Sequence, residues 1–172
     1  MLDATTDLKS MLKRPDLVCS QAFVGGEWVD AKSGKTFDVT NPARGDVIAT
    51  VTDLDRSEIT QAIDAAHKSQ KAWAALAAKE RAKVLRKWFD LLMANQEDLA
   101  IIMTAEQGKP LVESRGEVAY GASFVEWFGE EAKRNYGETI PGHMADKRIT
   151  VIKQPIGVAA AITPWIFPNA MI

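Results

Sequence analysis

Apolar residues and turn residues alternate at short intervals near the start of the chain, a pattern that favours small strands. An irregular start over residues 1–20, with a short helix predicted over 8–12, precedes them. The predicted strands are 22–24, 27–29, 36–40 and 47–51. Gly25-Gly26 separates the first two strands, and glycine tolerates the positive φ that a tight hairpin requires. Residues 21–52 are therefore predicted to form a small β-layer.

Apolar residues then recur at helical spacing, and this pattern predicts four helices in residues 53–137. Asp55 or Ser57 can cap the first helix. The third helix is predicted from Glu97 to about Gln107 and is ended by Gly108. The stripes expected to face the core are Ile59, Ile63, Ala66, Gln70 and Trp73 in the first helix, Val84, Leu85, Trp88, Phe89 and Leu92 in the second, and Tyr120, Phe124, Trp127 and Phe128 in the fourth.

The last part of the chain has two different patterns. Residues 148–153 partly alternate between charged and apolar side chains, which predicts a strand with one solvent-exposed face. Residues 156–163 form an apolar run rich in Ile, Val and Ala that ends at Pro164. Such a run predicts a strand buried on both faces, followed by a loop of fixed shape. Because a strand of this kind needs partner strands, we expect the sequence to be the front part of a larger α/β protein.

Composition is that of an ordinary globular protein, with 47% hydrophobic residues, 26% charged residues and a formal net charge of -2. No basic patch indicates nucleic acid, and the prolines in the apolar end segment argue against a membrane span. The basic outer face of the second helix can be an anion site or a solvated face, and we favour the second. Cys19 is the single cysteine, which excludes an intrachain disulfide and fits a reducing, cytoplasmic compartment.

Motifs along nearly the whole chain resemble those of the NAD(P)-dependent aldehyde dehydrogenases, in the order and spacing of that family. They are Phe23-Val-Gly-Gly-Glu-Trp28, Asn41-Pro-Ala43, Glu106-Gln-Gly-Lys-Pro110, Tyr136-Gly-Glu-Thr-Ile-Pro-Gly142, Gln154-Pro-Ile-Gly-Val158 and Ile162-Thr-Pro-Trp-Ile-Phe-Pro168. Within the family, residues 127–134 and 145–155 look most like the succinate-semialdehyde dehydrogenases.

The resemblance implies an α/β fold, namely an incomplete N-terminal part of the aldehyde dehydrogenase fold with a small β-layer, a four-helix layer, an assembly-arm strand and the first Rossmann strand. Residues 1–145 would be the N-terminal part of the cofactor-binding domain. Residues 146–155 would be a strand of the oligomerisation arm, through which the family forms homo-oligomers. Residues 156–172 would be the first Rossmann strand and its loop, truncated at Ile172.

The resemblance also implies an oxidoreductase that oxidises a small aldehyde to the acid with NADP or NAD. That chemistry needs a thiolate, donors to the oxyanion, a carboxylate base and the nicotinamide. The family supplies its cysteine and glutamate from later sequence, and no glycine-rich pyrophosphate turn occurs within these 172 residues. This chain alone is therefore expected to have no catalytic residue and no turnover, and neither NADP nor NAD is expected to bind tightly to it.

One residue departs from the family pattern. The family has an asparagine after the Pro-Trp of the last loop, and its amide donates a hydrogen bond to the oxyanion. Ile166 stands there in this chain and has no donor. Losing one such donor costs ~10²–10³ in turnover. Either the sequence is a decayed or partial gene, which we favour, or Ile166 is a harmless apolar residue on a buried loop.

Three residues are carried over as cofactor-binding by resemblance, Thr163, Pro164 and Trp165, although Trp165 can equally be a plain core residue. Lys109 resembles a functional lysine, but its place at a helix C-terminus favours a charge interaction with the helix dipole. His67 and His143 are isolated, so no metal site is predicted.

Two hypotheses of different classes remain. In the first, the chain is the N-terminal portion of a dehydrogenase acting on succinate semialdehyde or a related aldehyde. In the second, it is a non-catalytic interaction module that assembles with an intact homologous subunit. The sequence leaves open the choice between NADP and NAD and the identity of the semialdehyde.

Overall fold

The computed structural model describes residues 7–172. It contains three antiparallel hairpins and four helices, with two short 3₁₀ turns at Leu8–Met11 and Pro15–Leu17. In chain order the elements are β1 (Ala22–Val24), β2 (Glu27–Val29), β3 (Thr36–Thr40), β4 (Val47–Thr52), α1 (Arg56–Ala75), α2 (Ala78–Ala94), α3 (Gln96–Gln107), α4 (Leu111–Glu131), β5 (Glu138–Pro141) and β6 (Arg148–Val151). None of the described helices is both long enough and apolar enough to span a bilayer.

The β-layer follows the sequence pattern closely. β1 pairs with β2 and β3 pairs with β4, so the four strands predicted between residues 21 and 52 are confirmed, with β4 one residue longer. Gly25 and Gly26 both have positive φ, at 62° and 95°, as the tight turn requires. The backbone N–H of Lys32 donates to Glu58 Oε1 at 2.8 Å, and this hydrogen bond ties the layer to α1.

Helix α1 begins at a capping box. The Asp55 carboxylate accepts from the N–H of Glu58, and the Glu58 carboxylate accepts from the N–H of Asp55, each at 2.9 Å. Asp55 is thus the cap of the two that the sequence offered. The expected core stripe is wrong for this helix, because Ile59, Ile63 and Trp73 are exposed. No described element packs closely against that face, so its apolar side chains remain uncovered.

Helices α2, α3 and α4 pack together, with Ala100, Met103 and Val118 at the centre of the core. α4 turns a stripe of small or polar residues inward, Ser114, Glu117, Val118, Gly121, Ala122 and Gly129. Small residues allow close approach: a Cβ on Gly129 would lie 3.4 Å from Leu85 Cβ.

The aromatic stripe of α4 was expected in the core, and that prediction is wrong for most of it. Tyr120, Trp127 and Phe128 are exposed, and only Phe124 is half-buried. In α2, Val84 and Trp88 are likewise exposed. The spacing of apolar residues identifies the apolar face of a helix but not the element that packs against it. In α4 the close contacts with other elements are made by the small residues instead.

Two segments follow the helices. β5 and β6 form a hairpin, and every residue of the two strands is exposed. The predicted strand at 148–153 is confirmed over Arg148–Val151, and β5 is an additional strand. Residues 152–164 form no helix and no strand. The strand predicted after Gly157 is therefore absent, and Ile156 and Ile162 are fully exposed. A strand needs a neighbour for its backbone hydrogen bonds, and none of the described residues offers one there.

Candidate functional site

The candidate site is the loop that ends the chain, residues 162–170, which we call the terminal loop. It consists of successive turns: the N–H of Phe167 donates to the carbonyl of Pro164, and the N–H of Met171 donates to the carbonyl of Phe167, each at 3.3 Å. Pro164 and Pro168 fix φ within these turns and stiffen them. The side chains of Trp165 and Ile166 are 60% and 61% exposed.

A buried ion pair lies beneath the terminal loop. Lys109, just before α4, pairs with Glu117 on α4, and the two side chains are only 8% and 2% exposed. Lys109 Nζ also donates to the carbonyl of Ile166 at 2.6 Å and lies 4.5 Å from the centroid of the Phe167 ring. Lys109, for which the sequence favoured a charge interaction with the helix dipole, thus has a specific carboxylate partner.

Glu117 binds the other end of the same loop. Its Oε1 accepts from the backbone N–H of Asn169 at 2.9 Å and from that of Ala170 at 3.3 Å. Sequence reasoning missed Glu117 altogether. The available signal was a charged residue on the inward stripe of α4, between Ser114 and Val118, because a carboxylate placed there requires a partner.

Beside the ion pair is a cavity of about 180 Å³ between α3 and the terminal loop. Its polar lining is Glu106 and Gln107 at the end of α3 and Asn169 of the terminal loop. The apolar lining comes from α3, α4 and the terminal loop, namely Leu99, Ile102, Met103, Val118, Trp165 and Pro168. Gln107 Nε2 donates weakly to the carbonyl of Trp165 at 3.4 Å. Gln107 Oε1 and Asn169 Nδ2 are buried there without a hydrogen-bond partner. Burial raises the pKa of the Glu106 carboxyl because the charged form loses solvation.

The predicted cofactor residues, Thr163, Pro164 and Trp165, are consecutive in the chain, and none of them has a positive φ. Their backbone is therefore unstrained. Thr163 is half-buried, whereas Pro164 and Trp165 are exposed, so Trp165 is not a core residue here. Pro164 and Trp165 offer exposed apolar surface but no acid or base. Their binding of a cofactor stays a prediction, as does the role of Ile166, whose side chain offers no donor.

The other candidate residues lie apart from any reactive cluster. Cys19 is a free, exposed thiol, and His67 and His143 are exposed. Among residues 7–172, no three His, Cys, Asp or Glu side chains come close enough together to hold a metal ion. The described residues thus supply a rigid loop and an apolar surface but no catalytic constellation.

Comparison with known proteins agrees with this architecture. The sequence profile of the aldehyde dehydrogenase family matches residues 28–172. The chain is 63% identical over 161 residues to a glutarate-semialdehyde dehydrogenase of Pseudomonas aeruginosa, covering 94% of this chain and 33% of that protein. It is 60% identical over 161 residues to the NADP(+) succinate-semialdehyde dehydrogenase of Escherichia coli K12, with the same coverage of both.

Solved structures agree in fold. A succinate-semialdehyde dehydrogenase from Burkholderia pseudomallei superposes with a TM-score of 0.91 at 54% identity, over 93% of this chain and 33% of that one. The α/β fold of this chain therefore corresponds to the N-terminal third of that architecture, and the chain spans about a third of the length of these relatives. With its profile match, its close relatives and its fold in agreement, the chain belongs to the aldehyde dehydrogenase family.

Proposed function

We propose that this chain is the N-terminal portion of a dehydrogenase that uses NADP or NAD. Its substrate would be succinate semialdehyde or a related short aldehyde that carries a carboxylate at the opposite end. The observation that carries the proposal is identity above 60% to the Pseudomonas relative and of 60% to the Escherichia relative over 161 residues. Both names describe a short aldehyde that ends in a carboxylate. We place the protein in the cytoplasm.

In this proposal the chain contributes structure and binding rather than the reacting groups. Thr163, Pro164 and Trp165 would line the nicotinamide half of the cofactor cleft, where the bound cofactor accepts the hydride. Residues 1–145 would belong to the cofactor-binding domain. Residues 156–172 form no strand in the structure, and they would become its first Rossmann strand and loop only where partner strands from the rest of the domain pair with them. The segment 146–155, which includes the exposed strand β6, would join subunits of a homo-oligomer.

The first test uses residues 1–172 alone. We expect no aldehyde-dependent reduction of NADP or NAD, because the family's thiol and base are not among these residues. The assay is absorbance at the reduced nicotinamide band with succinate semialdehyde. Turnover that survives repurification and exceeds a no-protein blank would overturn this expectation.

The second test is a chimera in which residues 1–172 are followed by the remaining sequence of the Pseudomonas relative. We compare it with a version that carries Ile166→Asn. If the loop carries the oxyanion donor, the substitution restores ~10²–10³ in turnover. Succinate semialdehyde and glutarate semialdehyde should be used in preference to uncharged butanal and pentanal. No activity in either version, with cofactor binding intact, would refute the proposed function.

A second candidate function is a non-catalytic module that assembles with an intact homologous subunit. The observation that favours it is the extent of uncovered apolar surface, including Trp127, Phe128 and the hairpin residues Ile140 and Ile149. Co-expression of the tagged chain with the Pseudomonas relative, followed by sizing of the purified material, tests it. A mixed oligomer supports the module, whereas separate elution of the two proteins contradicts it.

A further inference from the structure

The buried ion pair between Lys109 and Glu117 differs from the other ion pairs of residues 7–172. The next most buried pair, Arg44 with Asp46, leaves 22% and 38% of its side chains exposed, against 8% and 2% here. A buried pair usually contributes little net stability, because desolvation of both charges offsets their attraction. Its clearer consequence is geometric, since each charge must keep its partners in place.

Both members of the pair have a second attachment to the terminal loop. Lys109 Nζ holds the carbonyl of Ile166, and Glu117 Oε1 holds the N–H groups of Asn169 and Ala170. The ammonium also lies against the face of Phe167, which adds a cation–π contact. Four attachments therefore fall on five consecutive residues.

Three of these attachments bind main-chain atoms, so they do not depend on which side chain stands at position 166. The carbonyl of Ile166 points to the buried ammonium, while 61% of the residue remains exposed. The ion pair thus turns the main chain inward and leaves the side chain at 166 outward.

We propose that Lys109 and Glu117 are positioning residues: their ion pair fixes the main chain of 166–170, so that the side chain at 166 faces the reacting aldehyde. The inference rests on the proposed function, because the role of position 166 comes from it. It adds two residues, on the α3–α4 connection and on α4, that touch neither substrate nor cofactor and act through the terminal loop.

The first arm of the test measures the loop directly in the 172-residue chain. Amide hydrogen exchange is followed at Asn169 and Ala170 in the wild type, Lys109→Met, Lys109→Arg and Glu117→Gln. Lys109→Met removes the ammonium but keeps an apolar stem, and we expect exchange at both amides to speed up at least about tenfold. Lys109→Arg keeps the charge and recovers most of the protection. Lys133→Met, which breaks the exposed pair of Lys133 with Glu130, is the matched control and leaves both amides unchanged.

The second arm uses the chimera that carries Ile166→Asn. Adding Lys109→Met is expected to lower kcat about 10–100-fold, because a small displacement of the side-chain donor at position 166 weakens the hydrogen bond that stabilises the transition state. The KM for the cofactor stays within about twofold, since the donor is displaced but the cleft is not. Lys109→Arg recovers part of kcat, which a general loss of folding would not allow.

The two arms separate the possible failures. A chimera with no activity before Lys109→Met is added refutes the proposed function, and the exchange arm still decides whether the pair holds the loop. Unchanged exchange at Asn169 and Ala170 in Lys109→Met, in a chain with wild-type circular dichroism, overturns the inference. Faster exchange with an unchanged kcat in an active chimera overturns it as well.

Discussion

Two glycines of α4 provide a matched pair for testing whether the terminal loop packs on the helix. Gly121 is buried, and a Cβ built there would overlap the side-chain amide Nδ2 of Asn169 and lie 3.0 Å from the carbonyl oxygen of Asn169 and 3.2 Å from the Cα of Ala170. Gly116 lies in the same helix and is exposed, and a Cβ there meets nothing within 4 Å. Alanine at the two positions therefore differs in one respect, contact with the loop.

The magnitudes follow from this difference. Replacing a helical glycine by alanine stabilises a helix by about 1 kcal/mol, and Gly116→Ala should show this gain. Gly121→Ala has the same gain but overpacks the loop, at a cost of about 1–3 kcal/mol. The two variants should thus differ by about 1–3 kcal/mol in free energy of unfolding, or roughly 2–12 °C in Tm for a chain of this size.

Thermal unfolding followed by circular dichroism measures both variants beside the wild type. Gly116→Ala is expected above the wild type, and Gly121→Ala below Gly116→Ala by the difference just given. The backbone atoms of Asn169 and Ala170 cannot move without releasing Glu117, so relaxation at little cost is not expected. If Gly121→Ala stabilises the chain as much as Gly116→Ala does, the loop is not packed on α4 and the reasoning fails.

Three further outcomes are expected. Burial raises the pKa of Glu106, so the contribution of its carboxyl to stability is complete below the unfolded-state pKa and is lost as pH rises through the folded-state pKa. At neutral pH the buried carboxylate is charged, so Glu106→Gln should unfold at a higher denaturant midpoint than the wild type. At pH 4 the difference in midpoint should be smaller. Glu58→Ala removes the acceptor for two backbone N–H groups and should cost about 1–3 kcal/mol in urea unfolding. Asp98→Ala removes the acceptor that binds the N–H of Lys13 and Arg14, so amide exchange at those two residues should become faster while α4 is unaffected.

Local features of the fold followed directly from the sequence. Three features depend on residues close together in the chain: the strands of the β-layer, the end of α3 at Gly108, whose φ is 82°, and a cap for α1 at Asp55 or Ser57, of which the structure uses Asp55. A glycine turn or a capping carboxylate carries its own physical reason within a few positions. These are the elements for which pattern alone is sufficient.

Features that depend on distant partners did not follow. The apolar stripe of α1 and the aromatic stripe of α4 were expected to be buried, but periodicity cannot say whether a neighbour covers the stripe. The predicted strand after Gly157 has the right composition yet no ladder, since pairing is a property of two segments. Glu117 was missed because two of its three partners, the N–H groups of Asn169 and Ala170, lie 52 and 53 residues away in the sequence.

The attachment of the terminal loop to α4 also has a kinetic consequence. It closes chain segments of 52 to 57 residues, whereas the hairpins pair residues that lie between 3 positions apart (Val24 with Glu27) and 16 positions apart (Thr36 with Thr52). Closing a segment of that length costs about 3.5 kcal/mol in chain entropy, and this cost arises before the contacts of the loop have formed to offset it. We therefore expect these contacts to form late, after the helices have packed, and to be weakly developed in the folding transition state. Loss of the Glu117 carboxylate should therefore leave the folding rate almost unchanged and appear as faster unfolding.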